Sequence, residues 1–174
     1  MPTSLISIVA AMALVAIMAV MAEPSLSATE RTRHDAIVTH VEYLIELARD
    51  RSTTTDIAHG VRWDLSTRTF SVVEADLSVF PVVILRTTTD PTTKQPAQLV
   101  IPTGMTMSPD DPFRFSTIGS QTTVFFDNWG TPVNVSTGGN FQQLLDADLN
   151  FTADGWTGWL NLRAVSGRVT TSVI

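Results

Sequence analysis

The chain has 174 residues, a formal net charge of −6 and no cysteine. A net negative chain with no basic cluster does not offset phosphate repulsion, so nucleic acid is not an expected partner. Without thiols there are no disulfides, thiolate metal sites or cysteine nucleophiles.

The first element is the uncharged run Ser4–Ala22, SLISIVAAMALVAIMAVMA, which stops at Glu23-Pro24. As a helix rising about 1.5 Å per residue it reaches roughly 28 Å, close to the ~30 Å of bilayer hydrocarbon. Two readings stay open. The run is a retained single-pass anchor, or it is a secretory signal peptide cleaved after Ala22, where Val20-Met21-Ala22 offers small and apolar residues. Met1-Pro2-Thr3-Ser4 carries no side-chain positive charge, and the run exceeds a usual signal core, which favours the anchor. A third reading, a buried core helix, would need a large protein to bury a helix apolar all round.

Past Pro24 the pattern turns amphipathic. Ala36, Ile37, Val41, Leu44, Ile45 and Ala48 recur at three- and four-residue spacing, with charged residues between them, until Thr53-Thr54-Thr55-Asp56. The expected organisation is a membrane helix over 1–23, an amphipathic continuation of that stalk over 24–52 and an extracytoplasmic β-rich domain over 53–174. The stripe Ile37, Val41, Leu44, Ile45 and Ala48 is the predicted helix–sheet contact.

From Gly60 the apolar period changes to two. Val61–Leu65 and Thr69–Val73 flank Ser66-Thr67-Arg68 as a hairpin. Further strands are predicted at Val82–Leu85, Gln98–Ile101, Phe113–Ile118, Thr123–Phe126 and Pro132–Val135. A last hairpin runs Trp159–Val165, Ser166-Gly167, Arg168–Ile174. Short strands behind one helical run define an α+β class with an antiparallel sheet or sandwich.

Catalytic chemistry is hard to find. His34 and His40 lie six apart, without the four-residue helical spacing of a metal pair, and read as solvated helix residues. No serine elbow, phosphate loop or zincin motif is present. Gly138-Gly139-Asn140 reads as a turn. Asp146, Asp148, Asn150 and Asp154 alternate oxygen ligands as a calcium loop does, but Phe151 stands where the turn glycine belongs and no closing glutamate follows. This stretch is therefore a weak calcium candidate beside the plainer reading of an acidic turn, and no other cofactor is expected. Trp156 and Trp159 read as sheet packing.

Taken together these residues resemble the type IV pilin and type II secretion pseudopilin superfamily, most closely its GspH/FimT-type minor members. The stretch from Thr3-Ser4-Leu5-Ile6-Ser7-Ile8-Val9 to Glu23-Pro24-Ser25-Leu26-Ser27 lines up without a gap with that family's apolar helix and its Pro-Ser-Leu-Ser kink. Leu47–Arg51 is similar to the step ending the family helix, and Trp63-Asp64 to Phe70-Ser71-Val72 to its first hairpin. Phe125–Pro132 is similar to its late glycine turn, and Leu162–Val169 to its closing hairpin. The resemblance implies a pilin-like fold and a minor structural subunit, not an enzyme. Its place would be the inner membrane of the cell, with the C-terminal domain periplasmic and other pilin-like subunits as partners. Subunit and membrane contacts then fall on Leu5, Ile6, Ser7, Ile8, Val9, Leu14, Ile17 and Pro24. Three positions depart from the family. Pro2 and Thr3 replace the glycine–phenylalanine processing site, and Ser7 replaces a glutamate that offsets a neighbour's N-terminal amine within lipid. The alternative is a secreted β-rich binding module released after Ala22.

Overall fold

The computed structural model describes residues 5–79, 82–109, 116–118, 121–135, 141–143, 146–163 and 166–173, with residues 5–27, 116–118, 121 and 141–143 as backbone only. Two compact units are present, Met1–Ala36 and Ile37–Ile174. Helix α1 is Leu5–Thr55.

In the first unit the backbone is helical through Pro24, and the side chains of residues 28–33 are exposed. The sequence-predicted subunit contacts Leu5, Ile6, Ser7, Ile8, Val9, Leu14, Ile17 and Pro24 lie outside the described side chains. Among the described residues, no helix is long and apolar enough to cross a membrane.

The second unit joins the rest of α1 to twelve described strands. In chain order these are β1 His59–Asp64, β2 Thr69–Asp76, β3 Val83–Thr87, β4 Gln98–Val100, β5 Thr106–Pro109 and β6 Ser116–Ile118. There follow β7 Gln121–Phe126, β8 Pro132–Val135, β9 Phe141–Gln143, β10 Ala147–Ala153, β11 Trp156–Leu162 and β12 Val169–Val173. One sheet runs β3-β2-β1-β7-β8-β9, with β4 also on β2 and β6 on β7; the other runs β12-β11-β10-β5. All described strand pairs are antiparallel. The α+β architecture is the one the sequence predicts.

Helix α1 ends three residues later than the apolar pattern implies. The hydroxyls of Thr53 and Thr54 donate to the Asp50 carbonyl, and that of Thr55 to the Arg51 carbonyl, so these threonines bond back along the helix while remaining in it. Asp56, at φ 58°, then closes the helix in the left-handed conformation. The β1–β2 turn is local too. Asp64 Oδ1 accepts the Ser66 and Thr67 amides at 2.9 and 3.3 Å, and the Arg68 guanidinium donates to the carbonyls of Ile101 and Pro102.

Within this unit Ile37, Val41, Leu44, Ile45 and Ala48 are all buried, in one apolar cluster with Val61, Trp63, Phe70, Val72 and Phe126 of the larger sheet. Leu149, Phe151, Leu160 and Leu162 of the smaller sheet join the same cluster. The helix thus serves as a shared cover for both sheets, which is how a sheet face and a helix stripe each leave water. A second, smaller cluster of Val73, Ala75, Val82, Phe125 and Val135 includes the odd-numbered Val73 and Ala75 of β2, whose even-numbered Phe70 and Val72 are in the first.

Strands β5, β9 and β10 were not legible in the sequence. Strand β10 occupies most of the stretch read as an acidic turn, and the reason is its period. Ala147, Leu149 and Phe151 alternate inward against the core, so Asp148 and Asn150 recur at every second residue because they face the other way. Of the predicted strand Phe113–Ile118, residues 116–118 are β6 and the rest lie outside the described residues, as does the Gly138-Gly139-Asn140 turn.

Candidate functional site

A row of polar side chains follows from strand register. His59 of β1 stands directly across from Glu74 of β2, and Glu74 stands directly across from Arg86 of β3. These residues share a face with Val61, Trp63, Phe70 and Val72, since positions two apart along a strand point the same way. The row therefore lies on the α1 side of the sheet. Glu74 Oε2 accepts from Arg86 Nε at 2.9 Å and from Nη2 at 2.8 Å. Its side chain is largely buried, whereas that of Arg86 is 73% exposed, so the guanidinium keeps most of its hydration.

His59 is 2% exposed. Its Nδ1 donates to the Ile57 carbonyl at 2.8 Å, since a carbonyl only accepts, and this leaves Nε2 bare in the neutral ring. Nε2 lies 4.0 Å from Glu74 Oε2. Burial lowers the His59 pKa below the ordinary imidazole value, and this outweighs the opposing pull of the Ile57 carbonyl and the Glu74 charge. The His59 backbone is fixed by Ser52 of α1, fully buried, whose Oγ accepts the His59 amide at 2.9 Å. The same Oγ lies 3.1 Å from the carbonyls of Ala48 and Phe126, to which its single proton is directed. Ser52 thus ties α1, β1 and β7 at one atom.

Around this row is an open pocket of about 230 Å³, lined by Arg51 and Thr55 of α1, by His59, Glu74, Arg86 and Thr87, and by Thr88 and Thr89 just after β3. The loop beyond is held to α1 by Tyr43, whose hydroxyl donates to Asp90 at 3.0 Å. Asp90 also accepts the Thr92 and Thr93 amides. These contacts, the Thr93 amide foremost, hold its carboxyl below the usual range.

A second concavity, about 460 Å³, is lined by Asp56, Ile57, Asp76, Leu77, Leu85, Asp127 and Asn128 among others. Each carboxylate there is engaged by its immediate surroundings. Asp56 accepts from Asn128 Nδ2, Asp76 from Ser78, and Asp127 from the Trp129 and Thr131 amides. Beside it Trp129 is 82% exposed at the tip of the β7–β8 turn. That turn needs Gly130, whose φ is +74°. Gly167 of the closing hairpin packs onto it, since a Cβ there would stand 2.7 Å from the Gly130 carbonyl oxygen.

The remaining sequence candidates disperse. Asp146 pairs with Arg163 at 2.7 Å, Asp148 accepts from Asn161, and Asp154 lies in the exposed β10–β11 turn. Asp146 and Asp154 are thus separated by the length of an extended strand, where a calcium loop gathers its oxygens about one point. Among the described residues, no three His, Asp or Glu side chains gather as metal ligands do. His40 is exposed, with its ring 6.0 Å from that of Tyr43, and Trp156 is buried in the core. The His59–Glu74–Arg86 row went unseen in the sequence. Its one visible signal is Glu74, a charge on the strand face that Phe70 and Val72 mark as inward.

A long N-terminal helix against antiparallel sheets is a pilin-like α+β fold. The chain is similar in structure to the type IV minor pilin FimU of Pseudomonas aeruginosa, at TM-score 0.52 and 12% identity over 83% of this chain and 91% of that one. It is also similar to the minor pseudopilin EpsH from the Type 2 Secretion System of Vibrio cholerae, at TM-score 0.46 and 12% identity over 78% and 94% of the two chains. No family model matches the chain, and no curated protein matches it in sequence.

Proposed function

We propose that this chain is a minor, pilin-like structural subunit of a type IV pilus or type II secretion pseudopilus. Its apolar N-terminal run anchors it in the inner membrane, and its β domain is periplasmic. The carrying observation is the likeness to FimU over 83% of this chain and 91% of that one. The uncharged Ser4–Ala22 run at the head of the helix supports it. In this reading the chain acts through surfaces rather than through catalysis. Leu5, Ile6, Ile8, Val9, Leu14 and Ile17 meet lipid and the helices of other pilin-like subunits. Ser7 offers a hydroxyl in place of a carboxylate, a group that a helix carbonyl can satisfy without a neighbour, so the subunit enters a filament in small numbers.

The test is fractionation of native cells with intact-mass measurement. The expected result is a chain that retains Ser4–Ala22, stays with membranes through alkaline carbonate, and is substoichiometric in purified filaments. Recovery of a soluble chain beginning at Glu23 would overturn the anchor and leave a secreted β-rich binding module. Recovery as the most abundant filament subunit would overturn the minor assignment.

A further inference from the structure

Two polar atoms belong to residues that line the pocket beside His59. Thr88 is 8% exposed, yet its Oγ1 is buried without a hydrogen-bond partner among the described residues. A buried hydroxyl left unpaired is costly, and folded proteins rarely tolerate one without a water or ligand to meet it. His59 Nε2, bare in the neutral ring, faces Glu74 Oε2 at 4.0 Å, so two acceptors look at one another with no donor between them. The pocket therefore asks for an acceptor at Thr88 and a donor near His59.

Charge narrows the ligand further. Arg86 is already engaged by Glu74 through both Nε and Nη2. Arg51 of α1, also in the lining, makes no ion pair among the described residues. With His59 neutral, the lining carries Arg51 and Arg86 against Glu74, one positive charge in excess. That balance suits a monoanion. A phosphate dianion would set a second negative charge against Glu74.

We infer that this pocket binds a carboxylate that carries a neighbouring N–H or O–H, the chemistry of a peptide C-terminus or of a free N-acylamino or hydroxy acid. The carboxylate meets the Arg51 guanidinium, whose planar fork matches it, and accepts from the Thr88 hydroxyl. The adjacent N–H or O–H donates into the space between His59 Nε2 and Glu74. Size agrees. A cavity of about 150 Å³ holds benzene, so one of about 230 Å³ admits roughly nine non-hydrogen atoms, about one residue's end. Strand β3 is the outermost described strand of its sheet, so a longer peptide can add along that edge. This binding is separate from filament assembly and stands whether or not that reading holds.

The experiment uses the full chain in detergent micelles with ¹⁵N-labelled histidine. It is titrated with N-acetylalanine, N-acetyl-tetraalanine free acid, the C-terminal amide of that peptide, and inorganic phosphate. Saturable shifts of the His59 imidazole, with His40 unmoved, are expected from both free acids. The amide and phosphate should bind at least tenfold more weakly. Arg51→Gln, at a half-buried helix position, should weaken the free acids at least tenfold, and Thr88→Val at least threefold. A tetrapeptide bound tenfold or more tightly than N-acetylalanine assigns a peptide C-terminus, and equal affinities assign a free acid. The proposal is overturned by no saturable shift with either free acid, by phosphate or amide binding as tight as theirs, or by unchanged affinity in Arg51→Gln.

Discussion

The α1-facing side of β1 and β2 holds two environments in one unbroken register. At one end Trp63 pairs with Phe70 and Val61 with Val72, and the Trp63 and Phe70 rings lie 4.5 Å apart between centroids. Two residues further along, the same two strands pair His59 with Glu74. The backbone geometry does not distinguish the two ends. The side chains do, and they act on stability in opposite directions. Apolar burial stabilises by roughly 25 cal/mol per Å². A buried carboxylate beside a neutral imidazole gives at best a partial return of its desolvation cost. A fold selected for stability alone would continue the valines and aromatics to the strand end, so the polar row is where function is to be sought.

The comparison is broken most directly at its dry end. Leu44 is fully buried beneath both sheets. Leu44→Ala should cost about 2–5 kcal/mol, because a leucine cavity in a shared core collapses poorly. Urea unfolding of the full chain in micelles measures it. A loss under 0.5 kcal/mol would show that the stripe does not cover the sheets. Ser52 marks the boundary between the two environments. Ser52→Ala strands the His59 amide and loosens the Phe126 carbonyl, a loss of about 1–3 kcal/mol by the same measurement. A neutral result would mean that water takes over both groups and that the boundary is wetter than its burial implies.

The polar end should also make stability depend on pH in a window of its own. The His59 pKa is lower in the folded chain than in the unfolded one, so the unfolded state takes up the proton first. Its contribution is whole above about pH 6.5 and declines as the pH falls toward the folded value, by at most about 1.4 kcal/mol per unit for one proton. Asp76, held low chiefly by the Ser78 hydroxyl, and Asp90, held low chiefly by the Thr93 amide, lose theirs only near and below about pH 4. Urea midpoints between pH 7.5 and 5 should therefore fall in the native chain and flatten in His59→Leu. Parallel curves would place the titration elsewhere.

What the sequence disclosed follows the same division. The dry regions were legible because apolar period is a direct record of burial. The α1 stripe, the β1–β2 hairpin and the closing hairpin are all visible in it. The polar row was not legible, because it exists only through register. His59, Glu74 and Arg86 are separated by turns and loops in the chain, and no local pattern says that three strands will set them side by side. Strand β10 failed for the converse reason. Its outward residues Asp148 and Asn150 are chemically louder than its inward ones, and their spacing imitates a metal loop. Reading Ala147, Leu149 and Phe151 first would have found the strand.

The smallest expected effect bears most closely on the difference between the two ends. Thr88→Val keeps shape and removes one hydroxyl. In the dry core, replacing a well-packed group with one of altered polarity is costly. At Thr88 the hydroxyl is buried and, among the described residues, unpartnered, so its removal relieves a desolvation cost instead of breaking a bond. The free chain should be stabilised, by up to about 1 kcal/mol, while its hold on carboxylates weakens. Urea unfolding and the ligand titration on one sample read both quantities. A group kept for packing would show neither change. A loss of stability in the free chain would mean that a water already satisfies the hydroxyl, and the polar end would then be structural rather than held open for a ligand. Gain in one quantity and loss in the other is the signature of a group kept for binding at the expense of the fold.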